Sequence, residues 1–573
     1  MTTHATRSCR PSRPLAPRAW AWLAIAYFTA QALGRIWVSP APELDEAEQL
    51  LWTRELAWGY GTQPPLYTWL QAGVFALTGP SIAGLALLKN LLLLSLYLAV
   101  AWAGWPLIGA AAAPAAAAML WLPQIGWESQ RDLTHSVLAT TACAVLLGAW
   151  VRLVREGRVF HHLVCGAAAA AALLGKYNAA LWVLLLLAVA VGVPALRARL
   201  RVPALLAAAA LAVLLLAPHL AWLAQHLPAA SQGTLQKMAP GADGPWAARA
   251  QGLISLLTGL LSAGLLWALV FGVQIGGPVW RAGRRTPGRD GLATPASASV
   301  TTASTATTTA TAGLPSGARA ADPAVRRLVR LMAALLLAGL LALVLVGGLS
   351  HLRNRWLQPL LFALPLAGWL LLPRLPSAEV WCRHERTTLA LAALLLFGQI
   401  ARAPLAGWLG QPGQLNEPVA ALAQAVQAVA PDVQTLVVHP PRLAAGLRGQ
   451  FPRAHVLTAD EWPAYASRGL PAGRTLWVAT AGDPARHDRH DLHRGRLDPP
   501  PAVHAQWHWR LAPTWTRDPA LQRDYRAWIP ADQAPAWRGK RQGWARSAAS
   551  SLRKAAGEVP TMRLNTFENA KAS

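Results

Sequence analysis

The chain has 573 residues, 54 % hydrophobic and 14 % charged, and its 52 Lys and Arg against 26 Asp and Glu give a net charge of +26. A soluble domain usually carries about 25 % charged residues, so this composition and its long apolar runs exclude a soluble enzyme, a disordered chain and a nucleic-acid binder as accounts of the whole chain. A multi-span membrane protein remains, in which Arg and Lys mark cytoplasmic loops and not a polyanionic partner.

Residues 1–18 form a basic tail with no small-residue cleavage signal, read as a cytoplasmic start followed by an uncleaved first span. Apolar windows then predict about eleven spans, near 19–38, 82–104, 107–123, 133–152, 162–175, 179–195, 203–223, 252–275, 330–349, 357–373 and 387–404. With the N-terminus inside, alternation puts Arg152, Arg155 and Arg158, then Arg197, Arg199 and Arg201, then Arg374, Arg383 and Arg386 on the cytoplasmic side. An odd number of spans leaves the C-terminal region outside. Residues 281–328 hold the run PASASVTTASTATTTATAG, which cannot bury a core and is expected to be a flexible cytoplasmic loop.

Within 405–540, TLVVHP, PRLAAGLRGQF, AHVLTAD and RTLWVATA alternate strand-like and helix-like patterns, which predicts a small α/β domain. The basic, polar residues 541–573 are expected to be disordered. The expected fold is therefore an all-α polytopic membrane bundle over 19–404 with a small extracytoplasmic α/β domain.

The first outer loop, 39–81, is the richest in chemistry. Residues 43–58 fit an amphipathic helix carrying Asp45 and Glu46, which Gly59, Gly61, Pro64 and Pro65 interrupt before a second short apolar helix. Such acids can simply answer a helix dipole, or can act on a substrate at the membrane rim. A second outer segment, WESQRDLTHSVLATT, holds Glu128 and Asp132; either a local ion pair with Arg131 or a second catalytic acid would suit them. Lys89 lies inside a span and needs a partner, for which an acid of the first loop is the obvious candidate.

Lys176 sits alone in a turn between spans, where it can snorkel to the headgroups or meet a phosphate. His219, His226 and Lys237 follow in PHLAWLAQHLPAASQGTLQKMAP. His351, Arg353 and Arg355 precede a later span on the outer side, against the charge bias, and guanidinium forks suit phosphate oxygens. His487, His490 and His493 in HDRHDLHRGR are read as an exposed loop, and the scattered Cys9, Cys143, Cys165 and Cys382 imply no disulfide framework or zinc site.

LDEAEQLLW, WGYGTQPPLYTWL, WESQRDLTHSVLA, LLGKYNAALW, PHLAWLAQH and RNRWLQPLLFALP occur in this order. Together they resemble bacterial glycosyltransferase family 39, the dolichyl-phosphate-mannose-protein mannosyltransferase-like group to which the aminoarabinose transferases are related. The resemblance implies a type C glycosyltransferase fold over roughly residues 20–405. It also implies an inverting transfer from a polyprenyl-phosphate sugar, in bacteria usually an undecaprenyl-phosphate one, at the periplasmic face of the inner membrane. The acceptor hydroxyl would belong to a lipid, glycan or protein.

By position, the resemblance gives Asp45 as the catalytic carboxylate with Glu46 beside it. It gives Asp132, with Glu128 competing, as the second-loop acid. Lys89, Lys176, His226, His351, Arg353 and Arg355 would surround the donor phosphate. Gln63, where relatives often carry His, and Tyr67 would line the acceptor pocket. Asp45, Glu46 and Glu128 could also hold a divalent metal through oxygen ligands. A lipid-linked sugar flippase, a surface-polysaccharide ligase and a membrane anchor for the α/β domain are the competing functions. A flippase would favour internal repeats and midplane charges, neither of which is evident in the sequence.

Overall fold

The computed structural model describes residues 13–131, 133–238, 244–279, 314–468, 473–481 and 503–530. Asp132, most of the Ala/Ser/Thr-rich loop, the HDRHDLHRGR segment and the C-terminal tail lie outside the described residues. The chain divides into two compact units. The first unit contains residues 1–32, 57–70 and 87–399; the second contains 33–56, 71–86 and 400–573.

The helices of the first half are α1 (Pro17–Val38), α2 (Leu44–Trp52), α3 (Leu66–Thr78), α4 (Ile82–Ile108), α5 (Ala112–Ala117), α6 (Pro123–Gly126), α7 (His135–Glu156), α8 (Val159–Gly175), α9 (Ala180–Gly192), α10 (Pro194–Arg197) and α11 (Val202–Met238). They continue with α12 (Pro245–Phe271), α13 (Pro323–Leu345), α14 (Asn354–Leu361), α15 (Leu364–Leu371) and α16 (Ala378–Trp408). In the first unit α7 is enclosed by its neighbours, and Val137, Cys143, Ala144, Leu146 and Trp150 lie in the main core with Leu96, Val100, Ala112, Met119 and Phe362. The helices around it, α11, α12, α13 and α16, are far more exposed and apolar, as helix faces towards lipid are.

Among the described residues, six helices are long and apolar enough to cross a membrane, with two shorter apolar ones at Val159–Gly175 and Tyr177–Gly192. The expected count of about eleven is not reached on this measure, for identifiable reasons. The windows 107–123 and 357–373 are not continuous helices. The first is broken into 3₁₀ turns and α5 behind Pro106. The second splits into α14 and α15, which contain Pro359 and Pro365. Proline removes a backbone donor and clashes with the preceding turn, and these pieces pack into the interior.

The expected flexible loop also ends earlier than residue 328. Arg319 donates from its backbone N–H to the Ile108 carbonyl (3.2 Å) and from Nη2 to the Pro106 carbonyl (2.7 Å), which caps the end of α4. Asp322 then caps α13 through Ala324 N–H (2.7 Å).

The second unit is an α/β assembly. It adds α17 (Val419–Val429), β1 (Thr435–His439), α18 (Pro441–Gln450), β2 (His455–Thr458), α19 (Trp462–Ser467), β3 (Thr475–Thr480), β4 (Val503–Leu511) and β5 (Arg523–Pro530). The sheet order is β2-β1-β3-β5-β4, with β1 parallel to β2 and β3, and β5 antiparallel to β3 and β4. Every residue of β1 is buried, as a strand covered on both faces requires. Leu436, Val438, Leu443, Leu447, Val456, Val478 and Ile529 form the core with α17. The expected alternation in TLVVHP, PRLAAGLRGQF, AHVLTAD and RTLWVATA is therefore present, but the unit also takes up the first-loop helix. Ala47 and Leu50 of α2 pack with Phe75, Leu85 and Ala445 of α18.

Candidate active site

The first unit gathers most of the candidate residues around the N-terminal end of α7. Lys89, buried inside α4, donates from Nζ to the Arg131 carbonyl at 2.6 Å. The oxygen that meets it thus comes from the second outer segment. Next to Lys89, Asn90 accepts from Gln130 Nε2 at 2.9 Å. Lys176 stands in an extended conformation between α8 and the 3₁₀ turn Tyr177–Ala179, and its Nζ donates to Ser136 Oγ at 2.5 Å. Tyr67 is fully buried, its ring 5.4 Å from that of His135. A helix N-terminus presents unpaired N–H groups and a positive dipole end, so this region suits an anion.

The segment bearing His351, Arg353 and Arg355 is tied into the same region. Arg353 is the N-cap residue of α14. From α14, Gln358 Nε2 donates to Ser129 Oγ (2.9 Å), and the Trp356 carbonyl accepts from Asn178 Nδ2 (2.5 Å). Leu352 exchanges two hydrogen bonds with Ser255 of α12, at 2.8 and 3.2 Å. The guanidinium groups of Arg353 and Arg355 donate to no acceptor among the described residues. Burial, and then the neighbouring Arg355, lower the pKa of Arg353 from its ordinary value. Guanidinium groups are the side chains best shaped to fork an anion's oxygens.

Part of the first loop belongs to this unit too. Tyr60 and Gln63 pair through two backbone hydrogen bonds of 3.0 and 2.9 Å around a tight turn, with Gly61 at φ +54°. Gln63 is thus held by its backbone, its side chain half-buried. Tyr60 Oη accepts from Ala57 N–H (2.9 Å), and Trp69 Nε1 donates to the Ala57 carbonyl (2.8 Å). Burial pushes the Tyr60 phenol pKa up. Gly59 lies against the ring of Trp222, where an added Cβ would approach to 2.3 Å, so only glycine fits.

His219, named in the sequence without an assigned role, bridges two neighbours at this point. His219 Nδ1 lies 2.6 Å from the Trp58 carbonyl, and its Nε2 lies 3.0 Å from the Tyr177 hydroxyl. A carbonyl only accepts, so Nδ1 carries the proton and Nε2 accepts from Tyr177. His219, Trp222 and His226 stack in sequence along α11, at 5.8 and 4.7 Å between ring centroids. The signal was the spacing in PHLAWLAQH, which sets these rings on one helix face. His226 itself is exposed, lies with Nδ1 2.9 Å from the Trp222 carbonyl, to which it can only donate, and marks a kink (φ −119°, ψ 19°) ahead of Pro228.

The acids are handled differently. In the second unit, Glu46 is fully buried and paired with Arg35, Nη2 to Oε2 at 2.6 Å and Nε to Oε1 at 3.1 Å. It also accepts from Glu43 N–H at 3.0 Å, closing a capping box at the start of α2. Its carboxylate is therefore engaged in holding the loop. Glu43 is likewise buried and forked by Arg402, at 2.6 and 2.7 Å. Asp45, between them, is only half-buried on the first turn of α2. In the first unit, Glu128 sits half-buried in a 3₁₀ turn, not on a span, 4.0 Å from Arg131. Among the described residues, no three His, Cys, Asp or Glu come together as a metal site.

Apolar helices long enough to cross a membrane and a separate α/β unit are the architecture of a multi-pass membrane protein, and its relatives make it a glycosyltransferase. The comparisons agree. The family described as dolichyl-phosphate-mannose-protein mannosyltransferase matches residues 62–222. The lipopolysaccharide core galacturonosyltransferase RgtB of Rhizobium johnstonii is 30 % identical over 447 residues, which is 76 % of this chain and 82 % of RgtB. RgtA of the same organism, also a lipopolysaccharide core galacturonosyltransferase, is 30 % identical over 483 residues, 82 % of this chain and 89 % of RgtA. The fold is shared with ArnT from Cupriavidus metallidurans, solved bound to undecaprenyl phosphate, at a TM-score of 0.53 and 14 % identity over 89 % of this chain and 98 % of ArnT. The chain belongs to the mannosyltransferase-like, ArnT-like family of type C glycosyltransferases.

Proposed function

We propose that the protein moves a sugar from a polyprenyl-phosphate carrier to an acceptor hydroxyl, with inversion, on the periplasmic side of a bacterial inner membrane. The carrying observation is the arginine pair, Arg353 and Arg355, whose guanidinium groups donate to no acceptor among the described residues. It is linked through Trp356–Asn178 to the turn that holds Lys176, and through Gln358–Ser129 to the loop whose carbonyl meets Lys89. These cations, with His351 beside them, would bind the donor phosphate and stabilise the charge that grows on it as the anomeric C–O bond breaks.

Asp45 would take the proton from the acceptor hydroxyl as its oxygen bonds to the anomeric carbon; the leaving group is the polyprenyl phosphate. Half-buried Asp45 suits that role better than Glu46, which is committed to Arg35. Asp132 or Glu128, the latter 4.0 Å from Arg131, would orient the acceptor. Gln63 and Tyr67 would border the acceptor. No nucleotide is needed, because the lipid phosphate already activates the sugar.

The relatives' lipopolysaccharide core and galacturonic acid are the first acceptor and sugar to try. In reconstituted vesicles, wild type should transfer the sugar from a synthetic undecaprenyl-phosphate donor. Asp45→Asn should insert and accumulate normally yet lose transfer by about 10²–10⁴-fold, the range for a general base. Full activity in that variant would remove Asp45 from the reaction.

A further inference from the structure

An apolar pocket of about 330 Å³, open on one side, lies in the surface of the first unit, away from the groups assigned above. Trp20 and Phe28 of α1, Tyr97 and Trp102 of α4, Ala116 of α5 and Arg152 of α7 are among its walls. Its volume falls in the range of about 300–1,000 Å³ over which small-molecule sites occur. Arg152 is at the C-terminal end of α7, seventeen residues from His135, which at 1.5 Å per residue is about 25 Å. The cavity is therefore separate from the Lys176 and Ser136 region at the other end of that helix.

Two polar features distinguish it from a packing gap. The Tyr97 ring lines the cavity and the residue is 7 % exposed, yet its hydroxyl has no hydrogen-bond partner among the described residues. A buried phenol normally finds one. Arg152 lies over the Trp102 ring, 3.9 Å from Cζ to the centroid, and uses only Nη1, on the carbonyls of Trp102 (3.0 Å) and Gly148 (3.2 Å). Its Nε and Nη2 donors make no hydrogen bond among the described residues, and Glu156, four residues on along α7, is the carboxylate that attracts it.

We infer that the cavity is a binding site for one membrane glycerophospholipid with an anionic headgroup. An acyl chain would fill the space between Trp20, Phe28 and Ala116. Tyr97 would donate to an ester carbonyl, and the free face of the Arg152 guanidinium would hold the phosphate, with Trp102 at headgroup level as interfacial tryptophans are. Tyr97 and Trp102 are five residues apart on α4, about 7.5 Å of helix rise, so the two polar contacts are spaced as ester and phosphate are within one lipid headgroup region. A prenyl phosphate would satisfy the guanidinium but carries no ester for the buried phenol.

The full-length protein, stripped of lipid in detergent, would be titrated with phosphatidylglycerol and read by native mass spectrometry. One tightly held molecule is expected. Arg152→Gln should weaken it at least tenfold, and Tyr97→Phe, which removes only an oxygen, about fivefold. Ala116→Leu should block it by filling the cavity. Farnesyl phosphate in excess should fail to displace it. Unchanged binding in both Tyr97→Phe and Ala116→Leu would overturn the assignment, whatever the fate of Arg152→Gln. Displacement by farnesyl phosphate one for one would overturn it too, by making the occupant a prenyl lipid.

Discussion

The two units treat buried charge in opposite ways. In the α/β unit, cations are matched to carboxylates: Arg35 to Glu46, Arg402 to Glu43, and Arg523 to Glu417, which also accepts from the Tyr525 hydroxyl. In the membrane unit, Arg353 and Arg355 are held in place by bonds of their neighbours and answer to no carboxylate among the described residues. A closed ion pair is internally neutral and serves the fold. Two half-buried guanidinium groups close in the chain repel each other, and a bound anion would relieve that repulsion. On the proposed function, the first set of charges builds the protein and the second works for it.

The comparison can be broken most decisively at the two first-loop acids. Asp45→Asn should cost about 10²–10⁴-fold in transfer with no loss of stability, measured by turnover and thermal unfolding. Its neighbour should behave in reverse. Glu46→Ala strands Arg35 and should destabilise the protein by about 3–5 kcal/mol, read as a lowered unfolding temperature and reduced yield. A pairwise replacement, Arg35→Met with Glu46→Leu, should recover much of that loss, because it removes both charges together. If Glu46→Ala instead folded normally and lost only activity, the division between structural and working acids would fail.

Single removal of Arg353 or Arg355 comes next. Each should raise the KM for the lipid donor by about tenfold, corresponding to ~1.4 kcal/mol, with unfolding little changed. Lys at either position should restore part of the effect only, since an ammonium cannot reproduce the fork. The smallest effect is expected at Tyr177→Phe. It removes one donor from His219 and should cost about 0.5–1.5 kcal/mol, visible as a few-fold loss in turnover.

Local pattern carried much of the architecture into view. Continuous apolar runs marked the long helices, and TLVVHP, followed by PRLAAGLRGQF, marked a strand and helix of the α/β unit. What stayed hidden depended on partners distant in the chain. Glu46 reads like Asp45 until Arg35, eleven positions earlier, is seen to fold back on it; Arg402 lies 359 positions from Glu43. For Lys89 the sequence pointed to an acid of the first loop; the bond goes instead to the backbone carbonyl of Arg131, which has no side-chain signature in a sequence. Apolar windows also counted as spans two stretches that proline breaks into short buried pieces, because hydropathy does not distinguish a lipid-facing helix from an interior one. The arginines before α14 drew attention in the sequence because their sign runs against the expected charge bias of that side.

The most direct measurement is steady-state transfer from an undecaprenyl-phosphate-linked sugar by the vesicle-reconstituted protein, comparing wild type with the double variant Arg353→Ala and Arg355→Ala. The lipid donor should support turnover, and the variant should keep its fold while its KM for that donor rises about a hundredfold or more. An unchanged KM, or equal transfer from a nucleotide sugar with no lipid donor present, would contradict the account.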